Sequence, residues 1–209
     1  ALAEAGANVM LNGFGDAAEI EAQRVDLETR FGVKASYHGA DMTKPAEIRD
    51  LIDETEARHG DVDILVNNAG IQHTAKIENF PDDRWDAVIA INLSSSFYTT
   101  KAVVGGMKAR GWGRIVNISS VHGLVASVEK VAYIAAKHGL IGMTKVTALE
   151  TAGTGVTCNA ICPGWVKTPL VMAQIQARAD QDGISIDRAT TDLVGEKQPS
   201  GHFTTIEQL

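Results

Sequence analysis

Short apolar runs recur along the chain, and each is followed by a polar turn and a longer amphipathic stretch. The apolar runs are Asn8–Asn12, Val33–Ala40, Asp63–Val66, Arg114–Ile118 and Val156–Ile161, and each predicts a strand. Between them the apolar positions return every three to four residues, which predicts helices. These run from the turn at Asp16 to about Arg30, from Pro45 to about His59, from about Asp82 to Ala109, and from Val131 to Leu149. Two more are predicted near Leu170–Ala179 and Ile186–Gly195. Ala1–Gly6 reads as the last turns of a helix closed by a glycine, and Thr205–Leu209 as the start of another. These ends predict a piece of a longer chain.

Because the strands are apolar throughout, they predict a parallel sheet buried on both faces by helices. The pattern is that of a Rossmann-type, doubly wound α/β domain spanning residues 1–209. In such sheets ligands bind beyond the carboxyl ends of the strands. Phe14, Asp41, Asn68, Ser120 and Pro163 all fall at such ends.

Composition narrows the class further. The net charge of −7 argues against a nucleic-acid or anionic-membrane partner, and no apolar run has the length of a membrane span. Cys158 and Cys162 share one apolar segment where they cannot easily bridge, so two buried free thiols and a cytoplasmic setting are expected. No Cys/His spacing suits a metal.

The chemistry centres on Tyr133-Ile134-Ala135-Ala136-Lys137. Residues four apart on a helix share a face, so the phenol and the ammonium are one turn apart. A nearby ammonium favours the phenolate and lowers the tyrosine pKa, which suits Tyr133 to exchanging a proton with a hydroxyl or carbonyl. Alone, this spacing is a weak signal.

With Asn67-Asn68-Ala69-Gly70, Asn92, Ser120, Tyr133-x-x-x-Lys137 and Pro163-Gly164 in order, the chain resembles the short-chain dehydrogenase/reductase superfamily over essentially its whole length. Local stretches are similar to the bacterial D-3-hydroxybutyrate dehydrogenases within it. These are Leu11–Asp16, Gly70–His73, His122–Ser127 and Cys162–Val166. The resemblance implies that Tyr133 is the acid/base, that Lys137 lowers its pKa and holds the nicotinamide ribose, and that Ser120 bonds the reacting oxygen. It implies that Asn92 holds a water behind Lys137, although a buried bracing amide is the plainer reading of Asn92.

The cofactor implied is NAD, since Asn12–Asp16 offers an acid and no cation for an extra phosphate. Phe14, Asp41, Met42, Asn68, Ala69, Gly70, Tyr133, Lys137, Pro163, Gly164, Val166 and Thr168 would line its site. Gln72, His122, Lys130 and Gln174, with Ser120 and Tyr133, match the positions that bind a small hydroxy acid, with Trp165 and Leu170 as an apolar wall. His73 reads as structural.

Other readings are a 3-oxoacyl thioester reductase, a polyol dehydrogenase, or a non-catalytic nucleotide-binding protein of the same fold. The family's glycine-rich phosphate loop, its first strand and a C-terminal strand have no match in this sequence. Unpaired strand edges, poor folding and weak NAD binding are therefore expected of this chain alone. A homotetramer is implied by the family, with Ala135, Ala136, Gly139 and Gly142 allowing close approach of helices between subunits.

Overall fold

The computed structural model describes residues 1–208, without the side chains of residues 169, 170, 196 and 197. Strands and helices alternate as β1 (Val9–Asn12), α1 (Ala17–Phe31), β2 (Ala35–His38), α2 (Pro45–His59) and β3 (Ile64–Asn67). There follow α3 (Asp82–Ile89), α4 (Ser95–Arg110), β4 (Gly113–Ile118), α5 (Val131–Glu150), β5 (Val156–Ile161), α6 (Pro169–Asp182) and α7 (Ile186–Lys197). Local chemistry sets several boundaries. Asp16 accepts hydrogen bonds from the Ala18 and Glu19 amides to start α1, and Gly32 ends it in the left-handed conformation at φ 69°.

All strand pairs are parallel, as the apolar runs predict. They form two sheets, β1–β2 and β3–β4–β5, so among the described residues β1, β2, β3 and β5 each keep an unpaired edge. Apolar surface stays open there: Val66 on β3 is 42% exposed, and no residue of β1 or α1 is buried. The main core lies under the larger sheet, where Leu65, Ile115, Val156 and Cys158 meet Ile52 of α2 and Val103 and Met107 of α4. A smaller cluster joins Val88 of α3 to Ala132 and Ala136 of α5.

The helix expected from Asp82 to Ala109 has the right extent but is not uniform. A π-turn, Ala90–Ser94, joins α3 to α4 and inserts one residue into the helical repeat. The strand expected over Val33–Ala40 shortens to Ala35–His38. The opening segment forms a single turn, with the Ala5 amide bonding to Ala1 oxygen, and Ile206–Gln208 is a short 3-10 helix. Two of the small residues assigned to subunit contacts are used internally. Ala136 is fully buried, and a β-carbon on Gly139 would stand 2.8 Å from Leu93. Ala135 and Gly142 remain exposed. Among the described residues no helix is long and apolar enough to cross a membrane.

Candidate active site

The carboxyl end of β4 runs into Ser119 and Ser120 and then a 3-10 turn, Val121–Gly123, directly beside α5. Ser120 is buried and starts that turn, its hydroxyl accepting the His122 amide at 3.1 Å. From α5, Lys137 is buried and its Nζ donates to the Ile118 carbonyl at 2.7 Å. The same ammonium lies 5.6 Å from the centroid of the Tyr133 ring. The buried His122 ring meets Tyr133 edge-on at 6.2 Å.

Asn92 sits in the π-turn, 1% exposed, and its amide spans the loop after β3. Oδ1 accepts from the Ile71 N–H at 2.8 Å, and Nδ2 donates to the Ile71 carbonyl at 2.9 Å. The bracing reading is therefore the one with visible partners. Oδ1 also lies near Lys137, since a β-carbon on Gly70 would stand 3.7 Å from Asn92 Oδ1 and 3.8 Å from Lys137 Nζ. Ser120, Tyr133 and Lys137 thus meet beyond the carboxyl end of β4, with Asn92 reaching Gly70 beside Lys137.

Electrostatics depart from the expected direction at Tyr133. Burial pushes the phenol above its ordinary value, with Ser120 pulling the other way. Burial also drives Lys137 down, to about 8, partly offset by Cys162. The expected lowering of Tyr133 by Lys137 is not found: that ammonium stands off the ring and donates to the Ile118 carbonyl, and burial prevails.

A cavity of about 360 Å³ opens beside Ser120, lined by Val121, His122, Gly164, Trp165, Gln198, Pro199 and Thr204. Lys130, at the start of α5, places its ammonium 5.4 Å from the Trp165 ring centroid. Gln72 follows the Asn92-braced loop, and its side-chain Nε2 is buried with no hydrogen-bond partner. A buried donor without a partner fits an acceptor supplied by a ligand. Gln174 is half-buried on α6. Leu170's side chain lies outside the described residues. His73 packs edge-on against Phe80 at 5.3 Å, as a structural residue would.

The residues assigned to the cofactor sit at successive strand ends. Phe14, after β1, is 76% exposed. Asp41 follows β2 with its carboxylate accepting from the Thr43 amide and hydroxyl, which hold its pKa down. Met42 beside it is half-buried. Asn68 and Gly70 are exposed after β3, with Ala69 half-buried between them. After β5, the Pro163 carbonyl accepts the Val121 amide at 2.9 Å, and the exposed Gly164 continues the strand-end turn. Val166 is buried and pairs in a bridge with Thr204, and Thr168 starts α6. An exposed aromatic, open strand-end backbone and a buried lysine fit a dinucleotide lying across these ends.

Sequence reasoning missed Gln198, Pro199 and Thr204. They reach the cavity because the segment after α7 folds back onto Trp165, whose amide donates to Gln198 Oε1 at 2.8 Å. That contact joins residues 33 positions apart, and no local pattern announces it. A larger opening of about 710 Å³ lies between Lys76–Glu78 and Ala126–Glu129, but it holds none of the candidate catalytic residues. The two cysteines are free, as expected, though only Cys158 is buried; Cys162 is half-buried.

Known proteins resemble the chain over most of its length. The sequence model of the family described as short chain dehydrogenase matches residues 1–179. The D-beta-hydroxybutyrate dehydrogenase of Cupriavidus necator is 58% identical over the whole chain, which covers 80% of that protein. The enzyme of the same name from Rhizobium meliloti is 50% identical, with 81% of its length covered. Among solved structures, a single-residue variant of actinorhodin polyketide ketoreductase with NADPH superposes with a TM-score of 0.89 at 35% identity. That match covers 98% of this chain and 78% of the other.

Proposed function

Because the chain belongs to the short chain dehydrogenase family, we propose that it oxidises D-3-hydroxybutyrate to acetoacetate with NAD. The observation that carries this reading is the meeting of Ser120, Tyr133 and Lys137 beside a cavity lined by Ser120, His122 and Trp165, with the Lys130 ammonium over the Trp165 ring. When bound, the nicotinamide accepts the hydride from the substrate's carbinol carbon.

The chain's own residues handle the proton and the orientation. Ser120 donates to the substrate oxygen and holds it against Tyr133. Tyr133 takes the hydroxyl proton as the carbonyl forms, acting as general base. Lys137, a buried cation one turn along α5, favours the phenolate that takes this proton. Asn92 fixes the Gly70–Ile71 loop over Lys137. On the opposite side, the Lys130 ammonium and donors from Gln72 and His122 neutralise and orient the carboxylate. Gln174 of α6 is the fourth member of this set. The choice of NAD rests on the β1 end, where Asp16 caps α1 and no cation stands ready for a further phosphate. The working state is a cytoplasmic homotetramer.

The test is NADH absorbance during incubation with D- and L-3-hydroxybutyrate, NAD and NADP, beside acetoacetyl thioester with NADPH. The D acid with NAD is expected to be turned over. Tyr133→Phe is expected to lose about 10²-fold or more in kcat at an unchanged melting temperature. Turnover of the thioester with NADPH, and of neither acid, would overturn the substrate assignment and favour the thioester reductase reading.

A further inference from the structure

The catalytic reading uses Ser120 and leaves its neighbour unassigned. Ser119 is 4% exposed, and its hydroxyl donates to the main-chain carbonyl of Lys137 at 3.1 Å. That carbonyl lies inside α5, where it already serves the helical repeat; its second lone pair receives the serine. The Ser119 amide in turn donates to the Ile161 carbonyl of β5 at 2.8 Å. One residue therefore ties the end of β4 to the last residue of β5 and to the turn of α5 that carries Lys137.

A second observation points to the same place. Gly123 closes the turn that presents Ser120 and His122, its amide donating to the Ser120 carbonyl at 2.8 Å. A β-carbon there would stand 2.6 Å from Ser119 Oγ, 2.9 Å from the Lys137 carbonyl and 3.0 Å from Ile141. The turn thus rests its bare backbone directly on the Ser119–Lys137 hydrogen bond. Lys137 is held at both ends, its carbonyl by Ser119 and its Nζ by Ile118.

We infer that Ser119 and Gly123 form a seat that sets the distance between the Ser120 turn and the Tyr133–Lys137 helix, which makes Ser119 a positioning residue for the reaction. This inference rests on the proposed role of Tyr133. A displacement of about an ångström at this contact moves Ser120 away from the phenol, and geometry of that kind governs rate more than binding.

The experiment reads Tyr133 directly, through its ¹³Cζ NMR titration in the wild-type chain and in Ser119→Ala, with Tyr133→Phe to assign the resonance. The groups facing Tyr133 are Lys137 on its own helix and His122 from the turn. Without the seat, Ser120 no longer favours the phenolate, so the Tyr133 midpoint is expected to rise. In the same variant kcat is expected to fall about tenfold with the hydroxy-acid KM nearly unchanged. Ser119→Cys sets a larger and weaker donor against the bare Gly123 backbone, so it too should raise the midpoint, and it supplies the reading if the alanine variant misfolds. A Tyr133 midpoint that does not move in a folded Ser119 variant overturns the inference. A wild-type chain that ignores D-3-hydroxybutyrate overturns the substrate reading alone, because the titration does not depend on turnover.

Discussion

At the scale of single residues, the buried lysine carries the largest conflict between stability and function. Lys137 falls from its ordinary 10.5 to about 8 because burial penalises the charged form. Below pH 8 the folded chain holds an ammonium in a poorly solvated place, at a cost on the order of 3 kcal/mol. Between about 8 and 10.5 the unfolded chain binds the extra proton, so stability should climb with pH across that window. Lys137→Met is therefore expected to melt no lower than wild type at pH 7, to lose the climb above pH 8, and to lose activity. Calorimetric melts from about pH 7 to 10 decide it, and a variant that retains the climb would show that another group titrates there. That Tyr133 and Lys137 share one helix face was legible from their spacing, since helical geometry is local, but the pair gained its meaning only from the motifs upstream of it. The direction of the Tyr133 shift was not, because it depends on how much protein closes over the ring.

Among the elements, the π-turn between α3 and α4 does most to shape the site. Its extra residue turns Asn92 inward, where the amide closes both the donor and the acceptor of Ile71. Asn92→Leu is expected to take both partners from the part-buried main-chain groups of Ile71 and to cost about 1–2 kcal/mol in urea unfolding. An unchanged urea midpoint would mean that water replaces the amide and that the brace is not a structural requirement. The helix spanning this region was legible from its apolar period. The inserted residue was not, because one extra position shifts the period too little to stand out from side-chain variety. The fold-back of Gln198 onto Trp165 was hidden for a different reason: it is a contact between distant segments.

Taken whole, the molecule is unevenly built. The β3–β4–β5 sheet buries a continuous core against α2 and α4, while β1, α1 and β2 contribute Ala35 and little else. Hydrogen exchange should therefore show early opening of β1–α1–β2 and later opening of β3–β5. Equal protection in both regions would mean that the two sheets open as one cooperative unit. The open edges of β1 and β3 agree with the edge exposure expected from the sequence, which depended on counting strands against the family's sheet. The parallel order itself was readable because strands buried on both faces lose the alternation that marks a half-exposed sheet.

Trp165 gives the molecule a built-in optical gauge. Its indole forms part of the cavity wall beside Ser120 and lies under the Lys130 ammonium. An anion that draws that ammonium toward itself changes the field across the ring, and the emission of this indole changes with it. Occupancy of the site is thereby written into the protein's own fluorescence, with no label and no turnover needed to read it.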